Sequence, residues 1–390
     1  MSFARVESLR HELHSHYPAL RAIRTRKALE RSTLWAEIGG EVRRVLEGVE
    51  RGDCGPVPPA AGPTGRGLRA VAWNIQRGAR FEDLRRALSA PPLAGADLLL
   101  LSEVDVGLGR SGNRNVPREL AEALGMSYAF AVSYLALTDD FGDDSAGLEN
   151  TLALSGAAIL SRYPLGRVEN IDLPEIRDKF RSSEKRLGKK RALLAEIVLP
   201  DGPLAVAACH LDSNASPAQR ARQLGGILDS VQRSGVARAL VGGDFNTSTY
   251  DISSTLALAR DLLHKLFVTG LRATIDQYLV PERRSERPVF ELLQARGFVV
   301  EGFNDRATGT YFYDLTDPYI LDRSQKLVGR ALTRLLVRLL RPWNGCVPAR
   351  LDWFAGRNVT PVGAAVERPR AAADGRPLSD HSAVIVDVAV

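Results

Sequence analysis

The chain has 390 residues, of which 45% are hydrophobic and 25% charged. This composition is typical of a soluble globular protein and excludes a disordered chain, a collagen-like fibre and a multi-span membrane protein. Cys54, Cys209 and Cys346 are too few and too widely spaced for a disulfide framework or a cysteine zinc site, which favours a reducing compartment. An excess of 52 Lys and Arg over 46 Asp and Glu gives a net charge of +6, which favours polyanionic partners or phosphate-bearing ligands.

The N-terminal region is predicted to be a helical appendage over residues 1–50, because apolar residues recur there among many Arg and Glu residues. Its start lacks the apolar core of a signal peptide, and no apolar run in the chain is long enough to span a membrane. A cytoplasmic protein without a transmembrane segment is therefore expected. Residues 51–67 are so rich in Gly and Pro that they predict a linker, which leaves residues 68–390 as the main domain.

The main domain alternates short apolar runs with helical stretches. Runs rich in Val, Leu and Ala predict about nine strands: LRAVAW, ADLLLL, SYAFAVSYLAL, GAAIL, RALLAEIVL, LAVAAC, RALVGG, ARLDWF and SAVIVDVAV. Helices are predicted at residues 115–125 and 216–234, the second of which begins with a Ser cap and a Pro in its first turn. An α/β fold with a layered sheet core follows.

Residues 250–345 differ from the rest and are predicted to be a mostly helical insertion. Lys326, Arg330, Arg334 and Arg338 recur every four residues, with Leu and Ala between them, which predicts a basic amphipathic helix at about 326–341. Such a helix either packs on the core with its Arg face in water or makes a peripheral contact with an anionic membrane or nucleic acid.

Polar side chains that can bind a metal ion or move a proton adjoin the ends of the apolar runs. Side chains at strand ends are held by the sheet and yet reach solvent, and sites on α/β folds are usually built there. If the strands end on one edge, the eight side chains form one site. They are Asn74, Glu103, His210, Asp244, Asn246, Asp352, Asp380 and His381.

Seven short motifs contain these residues: WNIQRG (73–78), LLLLSEVD (98–105), GAAILSRYPL (156–165), CHLDS (209–213), GGDFNT (242–247), RLDWF (350–354) and SDHSAV (379–384). In this order, over residues 68–390, the chain resembles the endonuclease/exonuclease/phosphatase superfamily. The resemblance implies a four-layered α/β sandwich, in which two mixed β-sheets pack face to face with helices outside. It also implies hydrolysis of phosphoester bonds with a divalent metal ion, usually Mg²⁺ or Mn²⁺.

The same resemblance implies roles for the acidic and amide residues. Glu103 matches the principal metal carboxylate, and Asn74 matches its neighbour in the metal and phosphate shell. Asp380 belongs to the terminal Asp-His pair and is assigned to the metal ligands. Asp244 and Asn246 match the pair that positions the attacking water and the phosphate oxygens.

The histidines have counterparts as well. His210 matches a histidine that contacts the phosphate or assists the leaving group, and His381 matches the second member of the terminal pair. Asp352 matches the aspartate that orients this histidine. Many members carry Asn where this chain has Ala157, so the resemblance implies no phosphate contact from that position.

The residue types agree with this chemistry on physical grounds. A phosphodiester is an anion that repels hydroxide, so its hydrolysis requires neutralisation of the phosphoryl oxygens and of the leaving group. Oxygen ligands such as Glu103 suit Mg²⁺ or Mn²⁺, because the chain offers no thiolate set. Asp244 can accept a proton from water, and His381 held by Asp352 can carry positive charge. No Ser or Cys has an evident activating partner, which favours single-step attack by water.

Basic residues flank these motifs. The segment 177–191 carries eight Lys or Arg and two acidic residues, and it is either a solvated loop or a surface that attracts an anionic substrate. Arg110, Arg114 and Arg118 lie between the Glu103 strand and its helix. Nucleic acid is the leading substrate class, and a phospholipid or inositol phosphate is the alternative. The residues predicted to bind substrate are Arg114, Lys189, Lys190 and Arg191.

Two other classes of protein compete with this interpretation. Gly107, Gly109 and Gly112 fit the G-x-G-x-x-G pattern of a dinucleotide-binding oxidoreductase, but Glu103 and Asp105 precede them and would repel a pyrophosphate. A non-catalytic protein that keeps the fold and binds anions through the basic helix is the second alternative. The presence of all the principal polar residues argues against it.

Overall fold

The computed structural model describes residues 3, 5–54, 67–138, 148–247, 260, 263–264, 268–316, 318–373 and 375–390. In this part of the chain, two mixed β-sheets pack face to face and helices cover their outer faces. The predicted four-layered α/β sandwich is confirmed.

The larger sheet contains nine strands among the described residues. Along the sheet their order is β1-β2-β5-β6-β4-β3-β16-β15, and β8 pairs with β5 beside this path. β3 and β4 are parallel to each other, and the other neighbours are antiparallel. The strands are β1 (Arg5–Glu7), β2 (Val49–Asp53), β3 (Leu68–Arg77), β4 (Leu98–Val106), β5 (Ser127–Ala136), β6 (Leu154–Ser161), β8 (Arg186–Gly188), β15 (Thr360–Glu367) and β16 (Ala383–Ala389).

The second sheet has the order β14-β11-β10-β9-β7, in which β10 and β11 are parallel. Its strands are β7 (Leu165–Asp172), β9 (Arg191–Leu199), β10 (Gly202–His210), β11 (Ala239–Asp244) and β14 (Asp352–Arg357). A separate hairpin pairs β12 (Tyr311–Asp314) with β13 (Cys346–Ala349).

Helices connect these strands. The α-helices of the described residues are α1 (Tyr17–Ala22), α2 (Arg26–Glu30), α3 (Thr33–Glu47), α4 (Phe81–Leu88), α5 (Val116–Leu124), α6 (Pro217–Arg233), α7 (Leu271–Gln277), α8 (Arg287–Ala295), α9 (Pro318–Val328) and α10 (Arg330–Leu339). Short 3₁₀ helices cover Leu13–His16, Gly109–Ser111, Lys179–Arg181, Pro281–Arg283 and Arg341–Trp343. The two helices predicted in the main domain correspond to α5 and α6. A capping box between Ser216 and Gln219 begins α6.

Three apolar layers hold the sandwich together. The first lies between the larger sheet and α3, α4 and α5, the second lies between the two sheets, and the third lies between the second sheet and α6 and α8. The run Leu98–Leu101 in β4 is buried on both faces of the sheet, which explains why it reads as four consecutive leucines rather than an alternating pattern.

The N-terminal region contributes to this core. In addition to the predicted helices it contains β1 and the beginning of β2, and β2 pairs with β5 in the larger sheet. The buried side chains of Leu9, Leu13 and Leu20 pack in the first apolar layer. Residues 51–53, predicted as linker, are the second half of β2, and residues 55–66 of the predicted linker lie outside the described residues.

The insertion differs from its prediction in one respect. The basic segment forms two helices rather than one, because Gly329 separates α9 from α10 with a φ of +84° and a ψ of 156°. This backbone conformation is disfavoured for residues other than glycine and is incompatible with a continuous helix. Lys326 is therefore on a different helix from Arg330, Arg334 and Arg338, and the prediction of a single basic helix at 326–341 is wrong. None of the described helices is long and apolar enough to cross a membrane.

Candidate functional site

The strand register brings the predicted site residues together at one edge of the sandwich. His210 and Asp244 end the parallel strands β10 and β11 and are paired in register, and Asp352 begins β14 opposite Asp244. Asn74 and Glu103 lie near the ends of the parallel strands β3 and β4 in the facing sheet. Since β11 contacts both β3 and β4 across the core, the polar ends of the two sheets face each other.

Asp244 is buried and lies at the centre of this cluster. Its Oδ1 accepts a hydrogen bond from the backbone N–H of Asn246 at 2.8 Å. Its Oδ2 accepts hydrogen bonds from the side-chain amides of Asn246 at 3.0 Å and Asn74 at 3.3 Å. The Nε2 atoms of His210 and His381 lie 3.4 Å and 3.8 Å from the same oxygen. Burial raises the pKa of Asp244 above its ordinary value, while His381 acts in the opposite direction.

His381 and Asp352 form a buried pair. His381 Nδ1 lies 2.8 Å from Asp352 Oδ2, which fixes the orientation of the imidazole ring. Burial opposes protonation of His381, but the carboxylates of Asp352 and Asp244 outweigh burial and raise its pKa well above the ordinary value. The imidazolium is therefore the favoured form near neutral pH, with Nε2 directed towards Asp244.

Thr310 fixes this pair from the insertion. Its Oγ1 accepts hydrogen bonds from the backbone N–H groups of Leu351 at 2.9 Å and Asp352 at 3.0 Å. Its carbonyl accepts the backbone N–H of Ser382 at 2.7 Å, directly after His381. One residue thus holds the backbones of both partners, a role that sequence reasoning missed because Thr310 belongs to none of the seven motifs.

Glu103 interrupts the regular pairing of β4. The register shifts between Ser102 and Val104, and Glu103 has a φ of +52°, which is rare for a residue with a side chain. Its carboxylate lies 3.9 Å from His210 Nε2, and its side chain is 35% exposed. Burial opposes ionisation of Glu103, but His210, Arg77 and Lys190 lower its pKa well below the ordinary value. Glu103 is thus an ionised carboxylate directed into the site.

His210 differs from His381 in charge. Burial, reinforced by the positive charge of Lys190, lowers the pKa of His210 to about 4. At neutral pH it is therefore uncharged and lies between the carboxylates of Glu103 and Asp244. The site holds one neutral and one protonated histidine on two sides of Asp244.

Asp380 completes the acidic set. Its pKa is raised mainly by burial, and the negative charges of Glu103 and Asp244 raise it further, while His381 opposes the shift. In the described part of the chain no Lys, Arg or His side chain forms an ion pair with Asp380, and Ser379 Oγ donates to it at 3.4 Å. Asp380 is thus an acidic group influenced by the charges of Glu103 and Asp244, and a metal ion stabilises carboxylates that repel one another.

The sequence can be compared with known families on this basis. The model of the endonuclease/exonuclease/phosphatase family matches residues 71–381. The chain belongs to this family. Members of the endonuclease/exonuclease/phosphatase family are phosphoester hydrolases and generally use a divalent metal ion. No curated protein sequence matches the chain.

Solved structures of similar fold have low sequence identity to this family member. One is an endonuclease/exonuclease/phosphatase from Beutenbergia cavernae DSM 12333, with 18% identity, a TM-score of 0.48, and coverage of 83% of this chain and 72% of that chain. A humanized D. rerio TDP2 has 16% identity and a TM-score of 0.46, and the match covers 84% of this chain and 100% of that chain. The 3′ phosphatase NExo from Neisseria, bound to a product DNA hairpin, has 15% identity and a TM-score of 0.46. The match covers 83% of this chain and 100% of that chain.

Among the described residues, one set of three acidic and histidine side chains has ligand atoms close enough to share a cation. The oxygen and nitrogen ligand atoms of Asp244, Asp352 and His381 all lie within 4.8 Å of one another. The close approach of Asp352 and His381 is already explained by their hydrogen bond, however. Glu103 and Asp244 also raise the pKa of Asp380, so these three carboxyl groups influence one another electrostatically.

The predicted substrate-binding residues do not all reach the site. Lys190 lines a pocket together with Glu103 and His210. Arg114 instead pairs with Glu119 at 2.6 Å and Glu82 at 3.3 Å. Lys189 and Arg191 both pair with Asp172, at 2.7 Å and 3.2 Å, and none of these three basic residues lines the pocket.

The pocket beside Glu103 also contains residues that sequence reasoning did not select. Arg77, Ser133 and Ser155 line it, together with Arg110 and with Arg186 from the basic segment. Arg77 was visible as part of the motif WNIQRG, whereas Ser133 lies inside the predicted strand SYAFAVSYLAL and Ser155 directly precedes the predicted strand GAAIL. Only the pairing of β5 with β6 and β8 brings them to one place.

Proposed function

We propose that this protein is a divalent-metal-dependent phosphoester hydrolase that cleaves phosphodiesters by direct attack of an activated water. The proposal rests on one observation, which is that several polar side chains converge on the carboxylate of Asp244. This buried carboxylate is contacted by Asn74, His210 and His381, which come from segments far apart in the sequence. A structural role does not require two histidines and two amides around one carboxylate.

The donor set fits a hard cation such as Mg²⁺ or Mn²⁺. Glu103, Asp380 and the Asn74 side chain would hold it, because they offer oxygen ligands and because the charges of Glu103 and Asp244 act unfavourably on an ionised Asp380. When bound, such a cation supplies neutralisation of the phosphoryl oxygens and of the leaving oxygen.

The protein groups then have separate tasks. Asp244 orients water and accepts its proton, and burial makes Asp244 a stronger base than an exposed aspartate because it raises the pKa. Asn246 holds Asp244 through two hydrogen bonds and directs it. His381, kept protonated by Asp352, stabilises the negative charge that develops on the phosphoryl group.

His210 has a different role because it is neutral. Its low pKa, about 4, leaves one N–H to donate at neutral pH without adding a positive charge. We assign this N–H to an oxygen of the phosphoryl group or of the leaving group, beside Glu103.

Nucleic acid is the leading substrate class of the proposal, supported by the net charge of +6. A small polyphosphorylated substrate, such as an inositol phosphate, is the second candidate, and the cluster of arginines in the pocket beside Glu103 favours it. A phospholipid headgroup also presents phosphate groups, so it shares this chemistry with an inositol phosphate.

A substrate panel tests the proposal. The panel contains single- and double-stranded DNA, RNA, inositol phosphates and phospholipid vesicles, each with Mg²⁺, with Mn²⁺ and with EDTA. We expect hydrolysis of at least one substrate, dependent on the metal and lost in Asp244→Asn. Inversion at a chiral phosphorothioate diester is expected for single-step attack, whereas retention would indicate a covalent intermediate.

A further inference from the structure

The helix α10 and the turn after it have a row of arginines that no acidic side chain balances. Residues 323–343, which include this helix, contain six Lys or Arg and no Asp or Glu. Lys326 pairs with Asp322 at 2.6 Å on the preceding helix. Four exposed arginines form no ion pair with any described residue, and they are Arg330, Arg334, Arg338 and Arg341. Their positive charge therefore faces solvent without compensation.

Exposed apolar side chains border this row of arginines. With 3.6 residues per helical turn, Arg330, Arg334 and Arg338 fall within an arc of about 80° on the surface of α10. By the same geometry Leu335 and Val337 lie on either side of this arc, and they are 43% and 36% exposed. A single exposed apolar residue is ordinary, but two of them beside uncompensated positive charge indicate an interaction surface.

The opposite face of α10 attaches the helix to the rest of the protein. Leu340, Tyr278 and Val347 are buried together in one apolar cluster, and Leu336 packs against it. Val347 belongs to β13, and Tyr278 directly follows α7. The helix is thus held through its leucine face, and the arginine face remains free to meet a partner.

The hairpin of β12 and β13 connects this surface to the candidate site. Helices α9 and α10 lie in the chain between the two strands. β12 begins at Tyr311, which forms a backbone bridge with His381 and lies edge-on to its ring. Because a strand of four residues is about 13 Å long, the chain leaves the hairpin towards α9 roughly that far from His381. One short hydrogen-bonded element therefore links the arginine row to the site.

We propose that α10 docks the protein on the surface of an anionic lipid bilayer. The arginines bind the charged headgroups, and Leu335 and Val337 enter the boundary between the headgroups and the acyl chains. Nucleic acid also attracts arginines, but its charged backbone offers no apolar layer to the two bordering side chains. A second copy of this chain would set one arginine row against the same row, and like charges repel. The inference adds to the proposed function the surface on which the protein acts.

Binding of the full chain to lipid vesicles in EDTA tests this surface without catalysis. The vesicles contain either phosphatidylcholine alone or an equal mixture of phosphatidylcholine and phosphatidylserine. We expect saturable binding to the anionic vesicles, about tenfold or more stronger than to the neutral ones and weakened by salt. The double variant Arg334→Gln and Arg338→Gln should weaken this binding about tenfold or more, and Leu335→Gln about threefold or more. Glutamine favours a helix, so these exposed substitutions are expected to leave α10 folded.

The double variant Arg24→Gln and Arg31→Gln is the matched control. It removes the same charge from two exposed arginines of the N-terminal region and should change the affinity less than about twofold, because salt screens charges away from the contact. Equal binding to both kinds of vesicle, or wild-type binding by either α10 variant, would overturn the proposal. So would loss of DNA-duplex binding in the arginine variant with vesicle binding unchanged, or dimerisation that Leu335→Gln abolishes without any vesicle binding. None of these outcomes affects the proposed hydrolysis, which the substrate panel measures separately.

Discussion

The backbone conformation of Glu103 shows how much conformational stability the site loses at one residue. Its φ of +52° lies in the left-handed region, where residues with a Cβ atom are destabilised by about 1–2 kcal/mol. The register shift between Ser102 and Val104 places it there, and the shift directs the carboxylate towards His210. The protein thus keeps a strained residue at the position where an ionised carboxylate faces His210.

Replacing Glu103 separates strain from function. Glu103→Gly and Glu103→Ala are both expected to lose metal-dependent hydrolysis, because both lack the carboxylate. Glycine adopts a positive φ freely, so Glu103→Gly should be about 1 kcal/mol more stable than Glu103→Ala in urea unfolding. Equal stabilities, or a more stable alanine variant, would show that the backbone at this position is not strained.

The charge of His381 depends on its hydrogen-bond partner, Asp352. Asp352→Asn removes the carboxylate that raises the pKa of His381 most, while burial continues to oppose protonation. The pKa of His381 should therefore fall, and the imidazolium should be less favoured near neutral pH. NMR titration of the histidine ring nitrogens measures this change. An unchanged pKa would mean that Asp244 alone holds the charge.

At this scale, the sequence indicated which polar side chains lie near one another but not their charge. Polar residues at strand ends predicted which side chains would meet, and Asn74, Glu103, His210, Asp244 and Asp352 do meet. The contrast between a neutral His210 and a protonated His381 depends on burial and on neighbours from other strands. A linear pattern does not contain that information.

At the level of elements, the insertion supports the site through Thr310 and the hairpin that follows it. The β12 strand begins directly after Thr310, and Tyr311 lies edge-on to the His381 ring, with 5.2 Å between the ring centroids. Arg350, which is buried, donates to the carbonyls of Asp305 and Thr308 and holds the segment before Thr310. The insertion therefore positions the Asp352–His381 pair as well as covering one side of the fold.

Thr310→Val tests this support. Valine has nearly the same shape but leaves the buried N–H groups of Leu351 and Asp352 without an acceptor. We expect a loss of about 2 kcal/mol in the free energy of unfolding and a fall in kcat larger than any rise in KM. Thr310→Ser keeps the hydroxyl and should restore most of both quantities. If valine and serine behave alike, the hydroxyl does not position the pair.

Some secondary-structure elements could be predicted from the sequence and others could not, and the difference has physical reasons. The nine predicted strands have strong apolar patterns and helix α6 has a clear cap, so their positions followed from local sequence. The sequence did not predict β7, β8, β12, β13 and β15. The basic segment has equally regular spacing, but Gly329 divides it, because a single left-handed residue overrides helical periodicity. The pocket beside Glu103 is lined by residues of β3, β4, β5, β6, β8 and β10, which are neighbours only after the two sheets have formed and packed.

At the level of the whole molecule, the N-terminal region and the catalytic sandwich share one core. Glu50 in β2 is 2% exposed and accepts hydrogen bonds from the Leu9 backbone at 3.1 Å, the Asn115 side chain at 2.6 Å and the Tyr128 hydroxyl at 2.7 Å. It thereby ties the N-terminal segment to α5 and β5. The sequence predicted this region as an appendage, because its helical spacing does not reveal which surface its leucines cover.

Glu50→Gln measures the strength of this connection. The amide offers one acceptor oxygen where the carboxylate offers two, so at least one buried donor loses its partner. We expect a loss of about 2–3 kcal/mol in urea unfolding in a single transition, reported alike by signals from the N-terminal region and the sandwich. Glu47→Gln, an exposed neighbour with the same change of charge, is the control and should cost less than about 0.5 kcal/mol. Two separate transitions would show that the N-terminal region unfolds independently.

The most direct test of the whole account is hydrolysis of bis(4-nitrophenyl) phosphate by the full chain, treated with EDTA and then supplied with Mg²⁺ or Mn²⁺. We expect the added metal to restore turnover and Asp244→Asn to lower kcat by about 100-fold or more, because the base at the centre of the site is lost. Turnover that survives EDTA, or that is equal in wild type and Asp244→Asn, would contradict it.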